Sequence, residues 1–260
     1  MWNVQPGTMT DYLNVCNLAL TDEKIFAKFR HMHAYMKILE HVSYQHALEY
    51  LDQMTKTVGR GRMQADLFKW KKNDLIGGAV LTNFDGIGQI STSTLRYVKI
   101  AYTLESLFKD IESRHICEIG CGYGGQIRLL NALFGCHRFT VIDQELPLLL
   151  TQKWLRYYGL FPECYNSDQI KSVEVKPDIV ISNYAFSELS EDEQMVYYNN
   201  VLRHAAAGYM IYNATPGTLE IKSMQMLLKN SIIIPEGLSG SRSNILIWGN
   251  DYGPGHTCES

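Results

Sequence analysis

Between residues 115 and 126 the chain reads His-Ile-Cys-Glu-Ile-Gly-Cys-Gly-Tyr-Gly-Gly-Gln, placing one acid, Glu118, just ahead of glycines at 120, 122, 124 and 125. Glycines at this density let the backbone take positive φ and approach a ligand closely. The helical spacing of residues 127 to 133 then supplies unpaired N–H groups at a helix start. A turn of this make suits a nucleotide. Gly120, Gly122 and Gly125 also satisfy the dinucleotide spacing G-x-G-x-x-G, and Asp143 stands about where a ribose-binding acid belongs. Glu118 argues against a dinucleotide, because a carboxylate two residues before the first glycine repels a pyrophosphate. It suits a nucleoside that has no phosphate and carries fixed positive charge.

A second group of candidates follows an apolar run at 178 to 181: Ser182, Asn183, Tyr184, Ser187 and Glu188. The acids just beyond have a structural explanation. Ser190 and Glu193 have the spacing of a capping box, with Glu191 and Asp192 at the helix's positive end. Glu188 precedes the cap and is not needed for it, so it is free for acid–base work; otherwise it is an exposed loop acid.

The pattern Glu118-x-Gly120-x-Gly122-x-Gly124, with an acid at the end of the next strand, resembles the first motifs of class I S-adenosylmethionine (SAM)-dependent methyltransferases. Three segments in order, Ser93-Thr-Leu-Arg-Tyr97, Gly122-Tyr-Gly-Gly-Gln126 and Pro177-Asp-Ile-Val-Ile-Ser-Asn-Tyr-Ala-Phe-Ser-Glu-Leu189, are similar to a narrower group of sugar O-methyltransferases. The resemblance covers roughly residues 80 to 250. It implies a Rossmann-like α/β fold, SAM as cofactor, and methyl transfer to a sugar hydroxyl of a glycan, such as one containing deoxysugars. A natural-product hydroxyl or an amine is the alternative acceptor, and a non-catalytic SAM-binding module the alternative class.

The resemblance also distributes roles. Glu118, Gly120, Gly122, Tyr123, Gly124 and Gln126 belong to the cofactor loop. Asp143 and Gln144 face the ribose, the two oxygens of Asp143 matching two hydroxyls, unless Asp143 only caps the next helix. Asp168 and Gln169 fall beside adenine. Thr94 and Arg96 belong to a loop closing over the cofactor, Arg96 near the methionine carboxylate; Ser93 or Thr94 otherwise caps a helix. Asn183 orients cofactor or acceptor, Tyr184 offers a ring face or hydroxyl to the sugar, and Glu188 takes the acceptor's proton, with His204 or His256 as substitutes. No compact acidic cluster suggests a metal, so the reaction is read as metal-free.

These residues need a scaffold. Apolar stripes at helical spacing between residues 10 and 57 predict a small helical layer, and residues 77 to 95 a glycine-rich loop leading to a helix over 95 to 107. Strands are predicted at 116–119, 138–142, near 164, at 178–181 and at 206–212, with helices between. Runs at 232–234 and 244–248 predict a terminal antiparallel hairpin. The result is a mainly parallel sheet with helices on both faces, residues 1–90 as an N-terminal extension or lid and 91–260 as the cofactor-binding domain.

Composition sets outer bounds. Twenty-four basic against 27 acidic residues give a net charge of −3, which offers no global field for nucleic acid. The basic run from Arg60 to Lys72 reads as a solvated face. His31 and His33, two apart on a helix, cannot chelate together, and His41 and His46 read as surface or half-buried. Apolar stretches are short and broken by charges, and the N-terminus lacks a signal-peptide layout. Six cysteines without pairing rhythm suggest reduced thiols and a cytoplasmic protein, in the host cytoplasm if viral. Fusion to a glycosyltransferase is compatible with the short N-terminal run. The sequence fixes neither the oligomeric state nor the particular sugar.

Overall fold

The structure is a computed structural model that describes residues 6–213 and 216–249, with side chains described from residue 9. The chain opens with helices α1 (Pro6–Thr21), α2 (Glu23–Phe26), α3 (His33–Leu39) and α4 (Tyr44–Lys71). A hairpin, β1 (Thr82–Phe84) and β2 (Gly88–Ile90), leads into α5 (Thr92–Leu107). Strands and helices then alternate: β3 (His115–Ile119), α6 (Gly125–Phe134), β4 (Arg138–Asp143), α7 (Glu145–Arg156), β5 (Glu163–Asn166), β6 (Ile179–Asn183), α8 (Glu191–Asn200), β7 (Ala207–Tyr212) and α9 (Ile221–Leu227). The strands β8 (Ser231–Pro235) and β9 (Asn244–Gly249) complete the described chain. Among the described residues no helix is long and apolar enough to cross a membrane.

Seven strands form one sheet in the order β5-β4-β3-β6-β7-β9-β8. The first five in that order run parallel, while β9 pairs antiparallel with both β7 and β8. This is a Rossmann-like α/β fold, a mainly parallel sheet with helices on both faces. The final hairpin is more than an added edge: β9 enters between β7 and β8, so the last of the described strands is interior. Side chains alternate across the sheet. Ile116, Val141, Ile179, Ile181, Tyr209 and Ile247 join one core; Cys117, Ile142, Val180, Met210, Leu246 and Trp248 join the other. Covering both faces is what allows near-continuous apolar strands.

The first of these cores continues into the N-terminal helices, through Tyr12, Phe29, Tyr35, Tyr50 and Trp70. A charge network sits inside it. Arg30, 0% exposed, bonds Glu40 at 2.5 Å and Asp74 at 3.1 Å, and its guanidinium lies 4.4 Å from the centre of the Tyr123 ring. The helical layer extends past the predicted end at residue 57, because α4 resumes beyond a break at Gly59, where φ is 77°. The basic run lies on that second half, with Arg62 and Lys69 on Asp66 at 2.5 and 2.9 Å. Residues 77 to 95 contain the β1–β2 hairpin and the first turn of α5, which begins three residues before the predicted start.

Candidate functional site

The glycine turn joins β3 to α6 and is tied down from several sides. The Gly120 N–H donates to the Ile142 carbonyl (2.8 Å), the Gly122 N–H to the Asp143 carboxylate (3.1 Å), and the Thr151 hydroxyl to the Gly122 carbonyl (2.8 Å). Gly122 and Gly124 have φ of 59° and 88°, the left-handed region that favours glycine. A Cβ on Gly122 would lie 3.1 Å from Leu39, and one on Gly124 would lie 2.8 Å from Leu155. The missing side chains thus let α3 and α7 pack onto the turn, a use the sequence reading did not anticipate.

A cleft of about 360 Å³ opens beside this turn, outside the carboxyl ends of the parallel strands where the sheet order reverses at β3 and β6. Gly120, Gly122, Asp143, Gln144, Asn183, Tyr184, Glu188 and Arg96 line it. Three buried polar atoms in or next to this lining have no hydrogen-bond partner: Arg96 Nε, Asn183 Oδ1 and Glu118 Oε2. The other Glu118 oxygen accepts from the Asn183 amide at 3.4 Å. Burial raises the Glu118 pKa well above the ordinary carboxylate range, with Asp143 adding to it. Leaving such groups unpaired is costly, and ligand-binding sites are where the cost is tolerated. Asp143 accepts from the Gln144 N–H at 2.7 Å, and burial pushes its pKa up to about 6 against these bonds.

Asn183-Tyr184 closes β6 with strained geometry. Tyr184 has φ of 73°, uncommon for a bulky residue, and is held by its N–H to the Ile211 carbonyl at 3.1 Å and by the Ser187 hydroxyl on its carbonyl at 2.7 Å. Its hydroxyl donates to Glu236 in a very short bond. Arg96 sits 5.7 Å from the Tyr184 ring centre and donates to the Leu39 carbonyl at 3.2 Å. Burial pushes the Glu188 pKa up to about 7, with a bond from Asn213 opposing the shift.

Several expected residues stand elsewhere. Tyr123 is fully buried between Arg30 and Trp154, its ring 4.9 Å from the indole, and so wedges the turn against the helices rather than facing the cleft. Gln126 donates to the Tyr97 carbonyl (3.1 Å) and Thr94 to Asp74 (2.7 Å), so both join buried networks. Thr94 lies inside α5, whose cap position is Ser91. Asp168 is exposed and pairs with Lys171 at 2.7 Å, while Gln169 closes a turn with Asn166. None of these five, nor Gly124, is among the cleft-lining residues. His204 bonds the Asn199 carbonyl (3.1 Å) away from the cleft, and His256 lies outside the described residues.

Other lining residues were not singled out from sequence: Tyr12, Tyr50, Asn213, Glu236, Ser241 and Ser243. The signal at Glu236 was an acid between Pro235 and Gly237 directly after an apolar strand. His41 and His46 also line the cleft. Burial and then Arg96 lower the His41 pKa, although much of the residue is exposed at the mouth. Among the described residues, no group of three His, Cys, Asp or Glu converges in a way that would hold a metal ion.

No protein-family model and no curated protein matches the chain. Solved structures do resemble it. Thermoplasma acidophilum protein 1320 gives a TM-score of 0.45 at 14% identity over 72% of this chain and 97% of that one. An O-methyltransferase family protein from Burkholderia thailandensis gives 0.43 at 9% identity over 80% and 72%. The TrmK protein of M. capricolum, bound to S-adenosylhomocysteine, gives 0.42 at 17% identity over 60% and 69%.

Proposed function

We propose that the protein is a SAM-dependent O-methyltransferase acting on a sugar hydroxyl of a glycan or glycosylated molecule. The observation that carries the cofactor reading is a pair of unpartnered buried atoms in the cleft lining, Arg96 Nε and Asn183 Oδ1, with the unpartnered Glu118 Oε2 behind them on a carboxylate that Asn183 bonds. A guanidinium suits an α-carboxylate; a carboxylate and an amide oxygen suit an α-ammonium. Asp143 and Gln144 hold the ribose hydroxyls from the end of β4. When bound, SAM supplies an electrophilic methyl group with no phosphate for Glu118 to repel.

A sugar hydroxyl is a weak nucleophile, so a group must take its proton as the new bond forms. Glu188 is that base: its pKa of about 7 puts it near the operating pH, where a carboxylate is both basic enough to accept a proton and present as the anion. Tyr184, fixed in its strained conformation, presents its ring to the acceptor. The sugar reading rests on the three motif segments from residue 93 to 189. Residues 1–90 act as the lid, contributing Tyr12, Leu39, His41 and Tyr50 to the cleft lining, and residues 91–260 hold the cofactor. The five described cysteines are free thiols, in keeping with a cytoplasmic protein.

Calorimetry tests the cofactor. SAM and S-adenosylhomocysteine should bind and NAD should not, and Asp143→Ala should weaken both ligands by about 1.5–3 kcal/mol, the range for hydrogen bonds to a charged group. NAD binding in preference to SAM overturns the reading. Turnover of labelled SAM on glycans then tests the acceptor: transfer to a non-sugar hydroxyl or amine reassigns it, and SAM binding with no turnover on any glycan favours a binding module.

A further inference from the structure

Besides the glycine turn, the cleft has a wall assembled from two stretches far apart in the chain. The first turns of α4 hold the segment between β8 and β9 by its backbone. Gln53 donates to the Gly237 carbonyl at 3.0 Å, Glu49 accepts the Ser239 N–H at 2.9 Å, and a His46 ring nitrogen lies 3.0 Å from the Ser239 carbonyl. So fastened, the segment carries Glu236, Ser241 and Ser243 into the cleft lining, with Tyr50 of α4 beside them. Glu236 is 5% exposed and accepts from the hydroxyls of Tyr184 and Ser241, the latter at 2.8 Å. A carboxylate has roughly four acceptor sites, so about two remain for a ligand. Ser243 donates to Asn213 Oδ1 at 2.7 Å, and Asn213 in turn bonds Glu188. The same segment therefore orients both carboxylates of this part of the cleft.

Charge then decides what fits. The carboxylates in the cleft lining are Asp143, Glu188 and Glu236, and Arg96 is the one Lys or Arg among the described lining residues. Arg96 is engaged by the Leu39 carbonyl and the Tyr184 ring, and its unpartnered Nε is assigned above to the cofactor carboxylate. A phosphate placed here meets like charge in a confined site. Neutral hydroxyls meet carboxylate acceptors, serine hydroxyls and tyrosine rings, the partners a sugar face uses.

We propose that Tyr50, Tyr184, Glu236 and Ser241 form the acceptor subsite, that Glu236 binds acceptor hydroxyls there, and that the site takes an uncharged glycoside and refuses a phosphate-bearing sugar. This rests on the methyltransferase reading. An acceptor of that kind is the product of a glycosyl transfer, in which the sugar has already left its phosphate carrier. Methylation therefore follows that class of reaction and does not act on the activated sugar.

The test is saturation-transfer NMR on the whole chain with S-adenosylhomocysteine bound. The probes are the methyl glycosides of L-fucose, L-rhamnose and D-mannose, set against D-mannose 1-phosphate and GDP-mannose. At least one glycoside should bind at least about tenfold more tightly than either phosphate-bearing probe, as like-charge exclusion requires. Glu236→Gln should weaken that glycoside by about tenfold, the loss for hydrogen bonds to a charged acceptor, narrow the ratio between the two probe classes, and leave S-adenosylhomocysteine affinity unchanged. Ser241→Ala keeps the carboxylate and should keep the preference, and the wild-type ratio decides even where the Gln variant does not fold. Equal or tighter binding of the phosphate-bearing probes, or binding of no glycoside by protein that does bind S-adenosylhomocysteine, overturns the proposal. Failure to bind S-adenosylhomocysteine at all removes the methyltransferase reading itself, and this proposal with it.

Discussion

Glu188 carries the sharpest residue-scale expectation. Glu188→Gln keeps shape and most hydrogen bonding but removes basicity, so kcat should fall by roughly 10² to 10⁴ with SAM affinity nearly unchanged. In the wild type the anion is the active form, so kcat should fall as pH drops through about 7. Stability runs the opposite way. A carboxyl raised by burial from an ordinary 4.5 to about 7 contributes stability that is complete below the unfolded value and is lost as pH rises through the folded one. Thermal melts of both proteins between pH 5 and 8 should therefore show the Gln variant gaining on the wild type as pH rises. A Gln variant with wild-type kcat excludes Glu188 and turns attention to His41, which lines the same cleft. Loss of activity with a chelator and recovery with magnesium would instead indicate a metal-assisted reaction.

At the scale of elements, α8 is set by local chemistry. Ser190 Oγ accepts the Glu193 N–H at 3.4 Å while Glu193 accepts the Ser190 N–H at 3.0 Å, the reciprocal box that the spacing predicts. Ser190→Ala should cost about 1 kcal/mol, read as a lower denaturation midpoint at unchanged slope. An unchanged midpoint would mean that packing of α8 under the sheet, rather than its cap, fixes where it starts. The segment between β8 and β9 is the contrasting case. It has bonds of its own, such as Ser241 to Glu236 at 2.8 Å, but it is fastened to the cleft by bonds from α4, nearly two hundred residues earlier.

At the scale of the molecule, the N-terminal helices and the sheet share one core, and its charged centre is Arg30 with Glu40 and Asp74. Asp74 also accepts from Ser91 and Thr94 at 2.8 and 2.7 Å, so the network reaches from the helical layer into α5, while Arg30 covers Tyr123 in the glycine turn. Removing one partner of a buried ion pair leaves an uncompensated charge. Arg30→Ala should lower the unfolding free energy by about 3–5 kcal/mol, measured by chemical denaturation. Replacing Arg30, Glu40 and Asp74 together by apolar residues of similar volume should cost much less. A small loss in the single variant would show that water reaches the network.

The order of strands and helices, the glycine turn after β3, the acid ending β4 and the cap of α8 were legible in the sequence because each is set by neighbours within a few residues. Periodicity, turn chemistry and capping act at that range. The pairing of β9 between β7 and β8 was not legible, since a short apolar run carries no label for its partner strand. Nor was the inward placement of Tyr123, Thr94 and Gln126, which look like ligand residues in the sequence but face other helices. The tertiary structure alone brought Tyr50, Glu236 and Ser241 to the same cleft as Asn183 and Glu188, because the distances that matter there are through space, between segments that the chain separates by most of its length.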